Sequence, residues 1–348
     1  MRIVYLLEDT PLFGGVKVVF RQAGLLARRG HSVAIVSPGE RPGWLPVEAE
    51  FVRTRGLEPH EIPPADVTVA TYWTTIAKAQ AGASGEVVHY CQGFEGSYTH
   101  NVAEHGAIAA AYAAQLPALA VAPHLARLLA ERFGRPARVL PQPLEAAMSP
   151  PPAWRRRLSP RRVPRLLVTG PFEIDWKGVA TALEAVRLLR GQGVALELVR
   201  LSQWPQTEAE KAVCPADEFH CHLPVAAVPD LLRGCDLLLA PSWEQEGFGL
   251  PLLEAMACGV PAVASDIAAF RDFAGSAATL APFDQPAVFA AAAREILGDP
   301  RRWRRMRRAG LAVARGYGEA EATAAAEAAF EWVASGAWRA ELPERPAG

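Results

Sequence analysis

Short apolar runs and longer mixed stretches alternate along most of this chain. In the first 145 residues RIVYLL, SVAIVS, VTVATY, VVHYC, ALAVA and RVLP are rich in Val, Ile and Tyr and read as buried strands. Between them lie segments such as VKVVFRQAGLLARR, whose apolar positions recur at three- and four-residue spacing, as on one face of a helix. Strand and helix in alternation predict a parallel sheet with helices on both faces. The pattern breaks at 149–164, where SPPPAWRRRLSPRRVP holds five prolines and five arginines. Such a segment continues neither a helix nor a central strand and reads as a linker. The alternation then restarts with RLLVTG, a helix over about 179–190, ALELVRL, EFHCHL, DLLLAPS and VPAVAS. Helices follow over about 285–297, 300–315 and 319–333. The prediction is an α/β chain of two Rossmann-like, doubly wound domains with a cleft between them: 1–148, a linker 149–164, and 165–318. Ligands in such sheets bind outside the carboxyl ends of the strands.

Composition narrows the functional classes. The chain has 348 residues, half of them hydrophobic, and 36 Lys+Arg against 37 Asp+Glu. A balance so near neutral argues against a partner whose affinity rests on neutralised nucleic-acid phosphates. Glu8 and Asp9 end the first apolar run after a few residues, so MRIVYLL reads as a strand rather than a secretory signal. The uncharged stretch 105–126 reads as an Ala-rich helix, a turn at Pro117 and a strand, not a membrane span. Five cysteines without a C-x-x-C pair favour a reducing compartment, and the expected location is cytoplasmic. In His220-Cys221-His222 the histidines of a strand face away from the cysteine, so no metal is expected there. The run RRWRRMRRAG at 301–310 reads as a solvated face with Trp303 and Met306 packed inward. Its sharper alternative is peripheral contact with anionic lipid on the cytoplasmic membrane face.

Chemistry concentrates in DLLLAPSWEQEGFGLPLLEAMACGVPAVAS, residues 236–265. A strand ends near Ala240, a loop carries Glu244 and Glu246, Gly247 and Gly249 flank Phe248, and Pro251 opens a helix. Glycines admit a ligand close to the backbone, and free N–H groups at a helix start suit phosphate or anionic oxygen. Glu246 and Glu254 can accept hydrogen bonds from sugar hydroxyls. Their alternative roles are solvation for Glu246 and complementing the helix dipole for Glu254.

This segment resembles the retaining glycosyltransferases of family 4, which have the GT-B fold and carry E-x7-E followed by a small-residue helix and a V-P-x-V-A-S strand. The resemblance implies that Glu246 and the backbone of Gly247, Phe248, Gly249 and Leu250 contact the sugar and phosphate of a nucleotide diphosphate sugar donor, and that Glu254 holds the ribose. It extends to Gly14-Gly15 with the helix after them, to RVLPQPLEAAMSP, and to GPFEIDWKG, where Lys177 is the implied diphosphate partner. It also implies that the last helix, within 319–348, crosses back to the first domain. Two departures stand out. Pro171 and Phe172 occupy the place of an expected Arg, with Arg200 as a candidate substitute. Gln92 stands where a histidine usually faces the donor, with Glu95 three residues later, a pattern similar to rhamnosyltransferase-like members and favouring a deoxysugar. His89 lies in the opposite register and is expected to be packed.

No D-x-D occurs in the sequence, so lysine and helix N-termini are expected to hold the diphosphate without a metal or other cofactor. No G-x-G-x-x-G occurs either, which disfavours a dinucleotide dehydrogenase. The implied activity is a retaining, metal-independent glycosyltransferase acting on a saccharide or lipid-linked acceptor. Its alternatives are a non-catalytic sugar-nucleotide binder and, less well supported, a glycoside hydrolase, whose two carboxylates must flank the scissile bond. Base, sugar, acceptor and oligomeric state are left open.

Overall fold

The computed structural model describes residues 1–153 and 157–343. The chain divides into two compact units, 1–143 with 319–348, and 144–318.

The first unit is built on strands β1 (Arg2–Leu6), β2 (Ser32–Ser37), β3 (Glu50–Arg53), β4 (Val67–Ala70), β5 (Glu86–Cys91), β6 (Ala118–Ala120) and β7 (Ala137–Val139). Its helices, in chain order, are α1 (Gly14–Arg28), α2 (Trp73–Gly82), α3 (His105–Tyr112) and α4 (Pro123–Phe133). The sheet runs β3-β2-β1-β4-β5-β6-β7, with every pair parallel. Ile3 to Leu6 are all buried, as expected of a strand covered on both faces. Helix α1 buries Val18, Val19, Phe20 and Leu26, and its Gln22 accepts a 2.8 Å hydrogen bond from the Tyr5 hydroxyl.

The second unit repeats the plan with β8 (Arg165–Thr169), α5 (Val179–Gly191), β9 (Glu197–Ser202), α6 (Glu208–Val213), β10 (Glu218–Cys221), α7 (Val228–Arg233), β11 (Leu237–Ala240), α8 (Leu250–Cys258), β12 (Ala262–Ser265), α9 (Ala268–Arg271), β13 (Ala278–Ala281), α10 (Pro286–Gly298) and α11 (Pro300–Ala314). Its order is β10-β9-β8-β11-β12-β13, again all parallel. Leu166, Val168, Leu198, Leu237 and Leu239 meet apolar side chains of α5 and α10 in one core. The last helix, α12 (Glu319–Ala334), belongs to the first unit, where Phe330 packs edge-on against Tyr5.

The structure revises several expectations. The first boundary falls after Pro143 rather than 148, and Leu144 N–H donates to the Tyr317 carbonyl within the second unit. The described part of 149–164 is not a free linker. Arg157 and Arg161 both pair with Asp236, whose side chain has no exposure, because a carboxylate buried there requires opposite charge and donors. Residues 154–156 of that expected linker, and 344–348 of the expected crossing segment, lie outside the described residues. β3 and β13 were not expected from the pattern. Both are short edge strands in which exposed or half-exposed positions dilute the apolar signal.

On α11, Trp303 and Met306 are buried, and Arg302, Arg304 and Arg307 bond to Glu295, the Leu158 carbonyl and the Gly259 carbonyl. Much of the basic run is therefore engaged within its own unit. No helix among the described residues is long and apolar enough to cross a membrane.

Candidate active site

Each sheet reverses its winding once, between β1 and β4 in the first unit and between β8 and β11 in the second. At such a switch point the loops leaving adjacent strands part and open a crevice at their carboxyl ends. In the second unit these loops are 170–178, after β8, and 241–249, after β11. They carry Lys177 and Glu246, 69 residues apart in sequence, and Lys177 Nζ donates to Glu246 Oε2 at 2.8 Å.

The local geometry of that pair has visible causes. Gly178 adopts φ +63°, and a Cβ there would lie 2.1 Å from the Pro241 carbonyl oxygen, so only glycine lets the two loops meet. Trp243 N–H donates to the Trp176 carbonyl at 2.8 Å, tying the loops together. The Trp176 ring lies 4.3 Å from Lys177 Nζ and supports the cation through its π face. An ammonium has three donors, so one bond to Glu246 leaves donor capacity on Lys177. Gly249 sits at φ +89°, with Phe270 where a Cβ would stand, and Leu250 then begins α8, where Pro251 has no N–H and the Leu252 N–H donates to the Gly249 carbonyl at 3.0 Å.

Glu246, Lys177, Gly247, Gly249 and Leu250 therefore share one loop pair. Glu254 lies one turn further along α8 and is half-buried. Phe248 was expected to contact the donor through its backbone, and its ring is engaged elsewhere. Its ring stacks on Phe273 with centroids 4.8 Å apart and meets Tyr317 edge-on, so its side chain anchors the loop and only its backbone can face a ligand.

Arg200 corrects an expectation. Its side chain is fully buried, with Nε bonded to Glu210 at 2.6 Å, Nη1 to the Val168 carbonyl and Nη2 to the Gly170 carbonyl. With its donors committed inward, it does not offer a diphosphate the charge that an Arg in the 170–178 loop would supply. Trp176, Gly170, Gly178 and Glu210 had no individual role predicted from the sequence. The glycines of GPFEIDWKG that bracket the Lys177 loop were the available signal.

In the first unit, Gly14 and Gly15 open α1, and Gln92 follows β5. Gln92 Oε1 lies 3.2 Å from where a Gly15 Cβ would stand, so the absent side chain lets the amide rest against the helix start. Glu95 was expected to meet the donor but is buried. The Tyr112 hydroxyl donates to it, and burial raises its pKa to about 7 against the opposing pull of that bond. His89 is packed, as its register predicts. It meets Tyr112 edge-on at 5.1 Å, and burial together with Arg135 depresses its pKa. Among the described residues no cluster of His, Cys, Asp and Glu could hold a metal ion.

Residues 163–299, which include Lys177, Glu246 and Glu254, match the family model described as Glycosyl transferases group 1. Residues 163–299 are thus similar to the group 1 glycosyl transferases. The phosphatidyl-myo-inositol mannosyltransferase of Mycolicibacterium smegmatis is 32% identical over 148 residues, which cover 40% of this chain and 38% of that one. O-antigen chain mannosyltransferase B of Escherichia coli is 36% identical over 101 residues, covering 29% and 24%. The chain thus aligns with well under half the length of these curated relatives.

Among solved structures, sucrose-phosphate synthase from Thermosynechococcus elongatus matches with a TM-score of 0.77 at 15% identity, covering 96% of this chain and 99% of that one. HepE from Anabaena in complex with UDP-glucose matches with a TM-score of 0.75 at 13% identity, covering 95% and 100%. The chain therefore has the GT-B fold.

Proposed function

We propose that this chain is a glycosyltransferase that moves a sugar from a nucleotide diphosphate sugar to a saccharide or lipid-linked acceptor, with retention of anomeric configuration and without a metal ion. The observation that carries this reading is the Lys177–Glu246 pair on Trp176, at the carboxyl ends of β8 and β11. As the glycosidic bond breaks, negative charge develops on the departing diphosphate. A preplaced ammonium and the backbone N–H groups of Gly247, Phe248, Gly249 and Leu250, at the entry to α8, stabilise it there. Glu246 orients the ammonium with one oxygen and can accept sugar hydroxyls with its remaining lone pairs. Glu254 completes the proposed donor contacts of this unit, and Gln92 and the Gly14-Gly15 helix start are the residues proposed to face a ligand in the first unit. The names of the relatives support a role in building polysaccharide or glycolipid.

The test is release of nucleoside diphosphate from UDP-, GDP-, ADP- and dTDP-sugars in EDTA, with acceptor and without. Lys177→Ala and Glu246→Ala should each lower turnover by roughly 10²-fold, as expected for lost transition-state electrostatics. Full activity in Lys177→Ala would remove its assigned role. A second reading, a non-catalytic sugar-nucleotide binder, draws support from Pro171 and Phe172 and from the inward engagement of Arg200. It predicts a thermal shift with nucleotide sugar but no diphosphate release at any acceptor concentration.

A further inference from the structure

Arg200 lies on β9 directly beside Val168 of β8, two residues after Leu198, which is part of the apolar core. A guanidinium there costs desolvation unless its donors are used. Three of them are, by Glu210 at 2.6 Å, the Val168 carbonyl at 2.7 Å and the Gly170 carbonyl at 2.8 Å. Glu210 is 1% exposed, and its helix start is capped by Thr207. The carbonyl of Gly170 belongs to the turn that leaves β8 at φ +101°. The Lys177 stem runs over that glycine, with Cβ and Cγ each 3.8 Å from where its Cβ would stand. Hydrogen bonds thus lead from Glu210 through Arg200 to the Gly170 turn, and the Lys177 side chain, itself bonded to Glu246, lies over that turn.

We infer that the buried Arg200–Glu210 pair is a positioning device, which fixes the turn at Gly170 and through it the reach of the Lys177 ammonium. The inference rests on the glycosyl-transfer reading for its kinetic consequence but not for its structural one. A pair that served only stability could be replaced by apolar side chains of similar volume with little loss. A pair that holds a specific carbonyl could not, because Met and Leu cannot donate to Gly170.

The experiment compares wild type, Arg200→Met, Arg200→Lys and the double variant Arg200→Met/Glu210→Leu. Arg200→Met leaves a buried carboxylate unpaired and is expected to lower the melting temperature, whereas the double variant should recover it. Amide hydrogen exchange then reads the turn directly. In the double variant, exchange in 170–178 should rise by at least about tenfold while the strands of the second unit stay protected. Turnover should fall by up to about 10²-fold with a smaller change in donor KM, as displacement of a group by ~1 Å can do. Arg200→Lys should restore part of kcat. Wild-type exchange in 170–178 in a double variant of native melting temperature would overturn the inference, whichever donor is used. Failure of the wild type to release diphosphate from any donor, with exchange altered as expected, would instead count against the glycosyl-transfer reading.

Discussion

Asp236→Asn probes how the residues before β8 are held to the second unit. The Asp236 side chain has no exposure and accepts from Arg157 Nη1, Arg161 Nη1 at 2.9 Å, and the backbone N–H groups of Arg161 at 3.2 Å and Arg165 at 2.9 Å. An amide keeps the shape but replaces one acceptor oxygen by a donor, which must then face a backbone N–H and a guanidinium. One buried unmatched N–H costs about 1–3 kcal/mol. Breaking a buried charge pair from one side costs about 3–5 kcal/mol in all. For a unit the size of 144–318 each kcal/mol moves the melting temperature by about 2–4 °C, so a fall of roughly 10 °C is expected. Arg161→Ala should cost far less, about 1 kcal/mol, because the Arg161 side chain is 34% exposed and the site keeps its other donors. Calorimetry of the three proteins at one salt concentration reads both values. A shift below about 3 °C for Asp236→Asn, or an equal shift for Arg161→Ala, would refute the role assigned to the carboxylate.

Three further outcomes are expected. Burial raises the pKa of Glu95 from about 4.5 to about 7, so its favourable contribution is fully present below pH ~4.5 and is lost as pH rises through ~7, a change of roughly 3 kcal/mol. Glu95→Gln should therefore gain stability relative to wild type between pH 5 and pH 8.5, and a pH-independent difference in melting temperature would contradict this. Gly178→Ala meets the Pro241 carbonyl at 2.1 Å and a positive φ, and should lower stability by at least about 2 kcal/mol in urea unfolding while weakening UDP or GDP binding. Trp176→Leu removes the ring beneath Lys177 and should reduce turnover by about 2–5-fold, the equivalent of the 0.5–1 kcal/mol of an exposed cation–π contact.

Much of the fold is visible in the sequence because central parallel strands must be apolar on both faces. Ile3–Leu6 and Leu237–Leu239 are continuous apolar runs, Val67–Ala70 is interrupted only by Thr68, and all are buried. Helices α5, α10, α11 and α12 begin where the pattern puts them and end within a residue or two. What escapes the pattern is held by partners distant in sequence. Glu50–Arg53 becomes a strand only because Ala34–Ser37 offers its edge, and Arg157 and Arg161 take their places only because Asp236 is buried behind them. Neither partner can be read from local spacing.

The candidate site divides in the same way. Glu246, Lys177 and the glycines stand out in the sequence because each has a type and spacing that phosphate or sugar chemistry needs. Their pairing does not, since it depends on β8 and β11 being neighbours across the switch point. Arg200 shows how residue type can mislead. A cation at the end of a strand beside a suspected anion site invites a direct role, yet its strand face is the apolar one that carries Leu198. Burial there forces the guanidinium to spend its donors on Glu210 and on two carbonyls of the adjacent strand end. The turn at Gly170 is thus held from within the unit, in a chain where Pro171 and Phe172 bring no cation to the loop. Under the proposed glycosyl transfer, Lys177, tied to Glu246 and backed by Trp176, is then the side chain with which this loop would meet a diphosphate.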